Sequence, residues 1–393
     1  MSSRQLKTGY FVLEGLNSFA TVYYCYYLFF FMHEVFGFGN LANLTLAAFS
    51  GMVCIVSAWW GGRFAQRSGY FTALKLGFAI MAGTLAFGGW TNSAPGHVLI
   101  LGVFVFGMCL TWPTLEALVS EGESSDRLRR IVGIYNVVWA ATAALANFTG
   151  GAMLEKLGRK SLFYVPVLIL LSQLAITFWL ESKAKLATPE PKAGVEFTPS
   201  LPELNPRPIG SNRSFLRMAW LANPFAYIAI NTLVAVVPGV ARRLELSTTL
   251  AGFCCSVWCF SRLGAFFALW AWNGWHYRFQ WLLAAYITLA GSFGFILMAP
   301  NLAVLVVSQV LFGAGIGLIY YSSLFYSMDA GETKGEHGGL HEAAIGIGNF
   351  AGPAMGAVSL YFWPQEANGG AIAVSGLLIL GLGGLLALRR FGR

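Results

Sequence analysis

Four ionisable side chains stand inside long apolar stretches of the sequence: Glu14, Glu116, Arg262 and Glu342, with His341 beside the last. A charge at the centre of a bilayer costs roughly 2.5–3.5 kcal/mol even on a lenient insertion scale, so residues there are candidates for function. Carboxylates and imidazoles can exchange protons as their surroundings alternate between wet and dry. The three acids and His341 are therefore candidates for proton coupling. Arg262 either pairs with an acid such as Glu342, which we favour, or contacts an anionic group of a substrate.

Polar residues also recur on one face of the first apolar stretch, at Glu14, Asn17, Thr21 and Tyr24. Their spacing is that of one helix face. We interpret the stripe as a cavity wall, because Glu14 is too costly to face lipid; hydrogen bonding between helices is the alternative. Polar and aromatic residues deep in other stretches are further candidates for substrate binding, with packing an equal alternative for the tyrosines: Asn136, Trp139, Asn231, Tyr320 and Tyr321.

The elements that position these residues are predicted to be transmembrane helices. Of the 393 residues, 56% are hydrophobic and only 11% are charged, against about 25% charged residues in soluble domains. The apolar runs are long and continuous, unlike the alternating strands of a membrane β-barrel. All six cysteines lie inside these runs, so we expect buried thiols rather than disulfides or a metal site.

Twelve stretches reach the roughly 20 residues that a membrane span needs. The sequence predicts an all-α membrane protein with spans near residues 8–34, 41–62, 70–90, 96–120, 130–154, 160–180, 214–240, 247–271, 278–298, 301–327, 338–363 and 369–389. With the N-terminus inside, 18 Lys and Arg residues fall in cytoplasmic segments and 5 on the other side. This asymmetry predicts that both termini are cytoplasmic, and it accounts for the basic net charge without a nucleic-acid partner.

The chain is predicted to form two halves. Residues 181–212 are polar and Pro-rich, which is typical of a linker. As a cytoplasmic linker they separate an N-terminal six-helix bundle at 1–180 from a C-terminal six-helix bundle at 213–393. The sequence "ANFTGGAM" in span 5 matches "GNFAGPAM" in span 11. Matching motifs in matching spans indicate a parallel repeat, an arrangement that occurs in some transporters.

Several local motifs resemble those of a known family. The sequence "GGRFAQRSGYFTALKLG" follows a loop signature, G-x-x-x-D-R-x-G-R, and matches it at Gly62, Arg67 and Gly69. Gln66 and Tyr70 stand where the signature has aspartate and a second arginine. With "WPTLEALVSEG", "GNFAGPAMG" and the twelve spans in two halves, the whole chain resembles the major facilitator superfamily of secondary transporters.

The resemblance implies a central cavity lined by spans 1, 4, 7 and 10, with spans 2, 5, 8 and 11 beside them. Glu14, Glu116, Arg262 and Glu342 lie on these spans and can all face the cavity. It also implies a gating loop between spans 2 and 3, in which Gln66 departs from the family: Gly62, Gln66, Arg67 and Gly69. One fold serves many solutes, so the resemblance specifies no substrate.

The sequence thus predicts a secondary active transporter of a small organic solute that works by alternating access. Proton coupling is favoured over sodium, and efflux is slightly favoured on the resemblance alone. Two alternatives stay open: an importer of an organic anion or sugar with Arg262 as the contact, and a non-transporting membrane sensor on the same fold.

Other function classes fit the sequence poorly. It contains no nucleotide-binding loop, nucleophile motif or metal-ligand spacing, so we expect neither an enzyme nor a cofactor. It also has no channel filter or ring of repeated acids. We expect a multi-pass monomer in the plasma membrane, which is the inner membrane in a Gram-negative cell, with the lipid bilayer, protons and a small-molecule substrate as its partners.

Overall fold

The computed structural model describes residues 3–121, 125–186, 209–329, 334–365 and 368–391. Within these ranges, side chains are outside the description at residues 3–4, 125–126, 128–129, 186, 209–212, 328–329, 334–343 and 391. The described residues form helices joined by short connections: α1 (Ser3–Phe36), α2 (Asn40–Ser68), α3 (Tyr70–Gly88), α4 (Ala94–Ser120), α5 (Ser125–Lys156), α6 (Ser161–Leu186), α7 (Ile209–Arg243), α8 (Thr248–Cys255), α9 (Val257–Ala271), α10 (Phe279–Leu297), α11 (Leu302–Asp329), α12 (Lys334–Phe362) and α13 (Gly369–Phe391).

This arrangement confirms the predicted all-α fold. The twelve predicted spans correspond to α1–α7, the α8–α9 pair and α10–α13. Among the described residues, ten helical stretches are long and apolar enough to cross a membrane, and α8 and α9 together form one of them, Thr248–Ala271. The cytoplasmic location of the termini stays a prediction.

The predicted linker at residues 181–212 lies mostly outside the described residues. At its two ends the chain is helical, because α6 continues to Leu186 and α7 begins at Ile209. The extension of α6 carries Glu181, whose carboxylate forms ion pairs with Lys75 of α3 at 2.8 Å and with Lys185 at 3.1 Å. These contacts fix the end of α6 against α3.

Local signals set the ends of several helices. A single residue, Gly69, separates α2 from α3, and its φ of 89° lies in the region that favours glycine. Ser93 and Ser247 cap α4 and α8, where their hydroxyls accept hydrogen bonds from the backbone N–H groups of Gly96 and Leu250. Such serine caps satisfy donors that have no partner within the helix.

The N-terminal half (α1–α6) and the C-terminal half (α7–α13) meet along two main seams. The first seam is α2 against α12, and the second seam is α5 against α8 and α9. At the first seam a side chain added at Gly51 would strike the backbone of Asn349 and Phe350. At the second seam a side chain added at Gly151 would likewise strike the backbone of Thr248. Small residues let membrane helices pack at such short separations.

Candidate functional site

The polar stripe of α1 faces the protein interior. Glu14, Asn17, Thr21 and Tyr24 are all almost completely buried. The amide of Asn17 donates a hydrogen bond to the hydroxyl of Thr111 on α4 over 3.2 Å. The ring of Tyr24 packs on Phe104, also on α4, with 4.6 Å between ring centroids. The stripe therefore lies against α4 rather than against lipid.

Glu14 is the centre of an acidic site between α1, α4 and α5. Its exposed fraction is 2%. One carboxylate oxygen accepts a hydrogen bond from the hydroxyl of Tyr135 on α5, whereas Oε2 is buried with no hydrogen-bond partner. The carboxylate of Glu116 on α4 is close enough to act on Glu14 electrostatically. In the described part of the chain, neither acid has an ion pair with Lys or Arg.

Arg262 occupies the second seam. It is 4% exposed, and its guanidinium carbon lies 4.5 Å from the ring centroid of Trp139 on α5. The ring of Trp258, one turn earlier on α9, is 4.9 Å away. Nε of Arg262 is buried with no hydrogen-bond partner, and no carboxylate among the described side chains pairs with it.

Further aromatic residues surround this arginine. Trp139 contacts Phe266 of α9 and Tyr320 of α11, with ring centroids 5.9 and 5.5 Å apart. Its Nε1 donates a hydrogen bond to Oδ1 of Asn136 over 2.9 Å. Tyr321 also packs on Phe266, at 5.9 Å. We call Arg262, Trp139, Trp258, Phe266 and Tyr320 the seam cluster.

Asn231 lies at the first seam, against α12. Its amide donates a hydrogen bond to Oδ1 of Asn349 on α12 over 2.5 Å. The side chain of Asn349 also hydrogen-bonds Cys54 of α2. The predicted substrate-binding residues therefore fall in three places: the acidic site, the seam cluster and this amide pair.

Asn147 is the asparagine of the matching motif in α5, and its place in the second seam corresponds to that of Asn349 in the first seam. Asn147 on α5 donates a hydrogen bond from Nδ2 to Sγ of Cys259 on α9 over 3.4 Å. Its backbone carbonyl accepts a hydrogen bond from the hydroxyl of Tyr27 on α1. Each seam thus has an asparagine–cysteine hydrogen bond that joins the two halves.

The end of the second seam near Thr248 holds a set of polar contacts. Oε1 of Glu34 accepts a hydrogen bond from the hydroxyl of Thr248 over 3.0 Å, and Oε2 lies 3.4 Å from Nε of Arg159. Oε2 of Glu155 accepts a hydrogen bond from the backbone N–H of Thr249 over 2.9 Å. Two acids of the N-terminal half therefore hold the first turn of α8.

The predicted gating loop is mostly helical, which corrects its placement between spans. Helix α2 continues to Ser68, past the predicted end at residue 62, so Gly62, Gln66 and Arg67 belong to α2 and only Gly69 lies outside a helix. The physical reason is that no helix-breaking residue occurs between residues 63 and 68. Gln66 and Arg67 are both exposed.

Two predicted proton-coupling residues cannot be placed in the site. His341 and Glu342 belong to α12, but their side chains lie outside the described residues. The pairing of Arg262 with Glu342 therefore stays a prediction.

Sequence reasoning missed several residues of these sites. Tyr135, the partner of Glu14, has no feature in the sequence that distinguishes it from other tyrosines of the apolar stretches. Trp258 had a usable signal, because it precedes Arg262 by four residues, and residues at that spacing are neighbours on a helix. An arginine and a tryptophan so spaced can form a cation–π contact.

Comparison with known proteins places this architecture in a family. The family model described as Major Facilitator Superfamily matches residues 107–388. No curated protein matches the chain. The human organic anion transporter MFSD10 (TETRAN) is similar in structure, with 15% identity, a TM-score of 0.66 and coverage of 98% of this chain and 100% of that chain.

A mutant of the nucleoside transporter NupG is also similar, with 12% identity, a TM-score of 0.71 and coverage of 98% of this chain and 99% of that chain. At such low identity these two likenesses show the fold alone. The family model, in contrast, matches well over half of the chain. The chain therefore belongs to the Major Facilitator Superfamily, and it is a multi-pass membrane transporter of the secondary type rather than an enzyme.

Proposed function

We propose that the protein couples the movement of protons to the transport of a small organic solute by alternating access. The proposal rests on the surroundings of Glu14. This residue is buried, one of its carboxylate oxygens has no hydrogen-bond partner, and Glu116 lies nearby. A buried carboxylate without a cation is strongly destabilising when charged. Protonation removes that cost, and exposure of the site to water restores the charge.

The contacts of Glu14 support a link between protonation and helix motion. The Tyr135 hydrogen bond joins α1 to α5, and α5 is the helix that forms the second seam with the other half. A charged carboxylate accepts this hydrogen bond more strongly than a neutral one. Loss or gain of the proton on Glu14 therefore changes how firmly α1 and α5 are held together.

The residues at the seams support a small, partly polar solute. Trp139, Asn231, Tyr320 and Tyr321 are each half-buried at mid-helix positions. Aromatic rings and amides of this kind typically line sites for small organic molecules. We propose efflux from a monomer in the plasma membrane; the direction rests on the family resemblance.

The test begins by finding a substrate and then follows its flux. A thermal-shift screen of purified protein against a metabolite library identifies a ligand, because binding to the folded state raises the melting temperature. Flux of that ligand in proteoliposomes is then measured under an imposed pH gradient. We expect Glu14→Gln to lose gradient-driven flux by about tenfold or more, because amides cannot carry the proton, while exchange of labelled for unlabelled ligand continues.

Glu121→Gln is the matched control, since Glu121 is an exposed acid at the end of α4, and its flux should equal that of the wild type. Retention of full gradient-driven flux in both Glu14→Gln and Glu116→Gln would show that the acidic site does not couple protons.

A further inference from the structure

We infer that Arg262 binds the carboxylate of the transported solute, and that the substrate is an aromatic monocarboxylate held at the second seam. The inference rests on the proposed transport function and adds to it the chemical class of the solute. It follows from the charge, the geometry and the surroundings of one side chain.

The buried charge of Arg262 calls for an anionic ligand. Arg262 stays protonated under all ordinary conditions, yet it is 4% exposed and lies in the middle of a span. A buried cation without an anionic partner destabilises the fold. Among the described side chains, no Asp or Glu forms an ion pair with Arg262. A bound anion supplies the missing charge.

The geometry around the guanidinium leaves its in-plane Nε–H without an acceptor. The indole faces of Trp139 and Trp258, at 4.5 and 4.9 Å, attract the guanidinium but do not accept its in-plane N–H bonds. The buried Nε has no partner at all. A carboxylate binds an arginine edge through two parallel hydrogen bonds in the guanidinium plane. The unpartnered Nε–H therefore favours an oxyanion, which can accept two parallel in-plane hydrogen bonds, over a halide.

The surroundings of the arginine are aromatic. Phe266 and Tyr320 continue the aromatic surface beyond Trp139, and Tyr26 of α1 stacks on Trp258 with ring centroids 6.4 Å apart. Rings of this kind prefer offset or edge contacts with another aromatic ring. A solute with a ring beside its carboxylate matches both parts of the site.

The site also joins the two halves. Trp139 and Tyr26 belong to the N-terminal half, whereas Arg262 and Trp258 belong to the C-terminal half. A ligand that contacts both is bound most tightly when the seam is closed around it. Such differential affinity is what a solute needs in order to shift the equilibrium between conformations.

The test compares matched ligands on the purified full-length protein. Benzoate and phenylacetate are the carboxylate probes, benzamide and phenylacetamide are their neutral counterparts, and chloride and sulfate are the inorganic anions. Binding is measured by calorimetry and by thermal shift. We expect at least one aromatic carboxylate to bind about tenfold or more tightly than its amide, with no comparable binding of the inorganic anions. Equal binding of acid and amide, binding of chloride or sulfate alone, or no binding of either carboxylate would overturn the inference.

Variants of the arginine then locate the binding. Arg262→Gln should weaken carboxylate binding by about tenfold or more, and Arg262→Lys should weaken it less, because lysine keeps the charge without the planar fork. The matched control is Arg63→Gln. Arg63 also lies over a tryptophan, 4.0 Å from the ring centroid of Trp59, but it is exposed and is not part of the seam cluster. Equal affinity in wild type and Arg262→Gln would contradict the assignment.

A further variant tests the competing interpretation, in which Glu342 forms an ion pair with Arg262. If carboxylates bind only after the Glu342→Gln substitution, the arginine is already paired and the inference fails. These binding measurements need no pH gradient, so their failure is distinct from that of the transport proposal. Gradient-driven flux of a neutral solute would leave the proposed function intact and exclude the carboxylate.

Discussion

The two seams between the halves are built to the same plan but carry different chemistry. In each seam, glycine allows two helix backbones to approach closely, at Gly51 in the first and Gly151 in the second. An asparagine near that glycine hydrogen-bonds a cysteine of the other half: Asn349 with Cys54, and Asn147 with Cys259. The internal repeat thus preserves the packing and one polar contact.

The chemistry beside that shared contact is what differs. In the second seam a buried arginine lies over two indole rings. In the first seam Asn231 adds a neutral amide–amide hydrogen bond to Asn349. Packing is therefore symmetric, whereas charge is not. The repeat specifies how the halves meet, and the polar chemistry of each seam differs beyond the shared contact. The following substitutions test this distinction.

The largest effect should come from filling a seam glycine. In Gly151→Val the new side chain would overlap the backbone of Thr248, and backbone cannot move aside as a flexible side chain does. Overpacking of this kind costs typically about 1–3 kcal/mol or more. We expect loss of transport and a lowered melting temperature. Gly264→Val on α9 is the control, because a side chain there meets no atom within 4 Å. Similar losses in both variants would show that the seam is not special.

A smaller and unequal effect is expected at the two asparagines. Asn349→Ala removes side-chain hydrogen bonds to both Asn231 and Cys54, whereas Asn147→Ala removes only the one to Cys259 and keeps the backbone bond to Tyr27. Hydrogen bonds between membrane helices contribute about 0.6 kcal/mol on average. Asn349→Ala should therefore lower the free energy of unfolding about twice as much, as measured by denaturant unfolding in detergent micelles. Equal losses would contradict the proposed asymmetry.

The smallest effect is expected where the second seam ends in exposed contacts. Exposed ion pairs contribute about 0–1 kcal/mol in general. Glu34 and Glu155 are the two acids that hold α8. The double variant Glu34→Gln/Glu155→Gln should hardly change the melting temperature. A large drop, comparable to that of Gly151→Val, would mean that these polar contacts and not the glycine packing hold the seam together.

Most of the fold could be predicted from the sequence because it depends on the hydrophobicity of long stretches of residues rather than on single side chains. Apolar length predicted the spans, and the "NF" repeat marked Asn147 and Asn349, which take equivalent places in the two seams. The end of α2 was misplaced for a local reason. Arg63 and Arg67 are typical of a loop at a membrane surface, but long basic side chains can extend from a helix end while the backbone stays helical.

The candidate sites could be predicted only in part. The cost of burying charge singled out Glu14 and Arg262, and both are indeed buried. Their neighbours could not be found in this way, because Tyr135 and Trp139 reach them from a helix more than a hundred residues away in sequence. Burial is a property of one residue, whereas a site depends on which helices pack together.

The junction at Gly69 has a mechanical consequence. With one residue between α2 and α3, the facing ends of the two helices cannot move apart, so a displacement of one end displaces the other. Helix α3 packs against α4 and α6, so a tilt of α2 at the first seam is transmitted into the body of the N-terminal half. Because α2 itself also packs against α4, that half is expected to rock as one block.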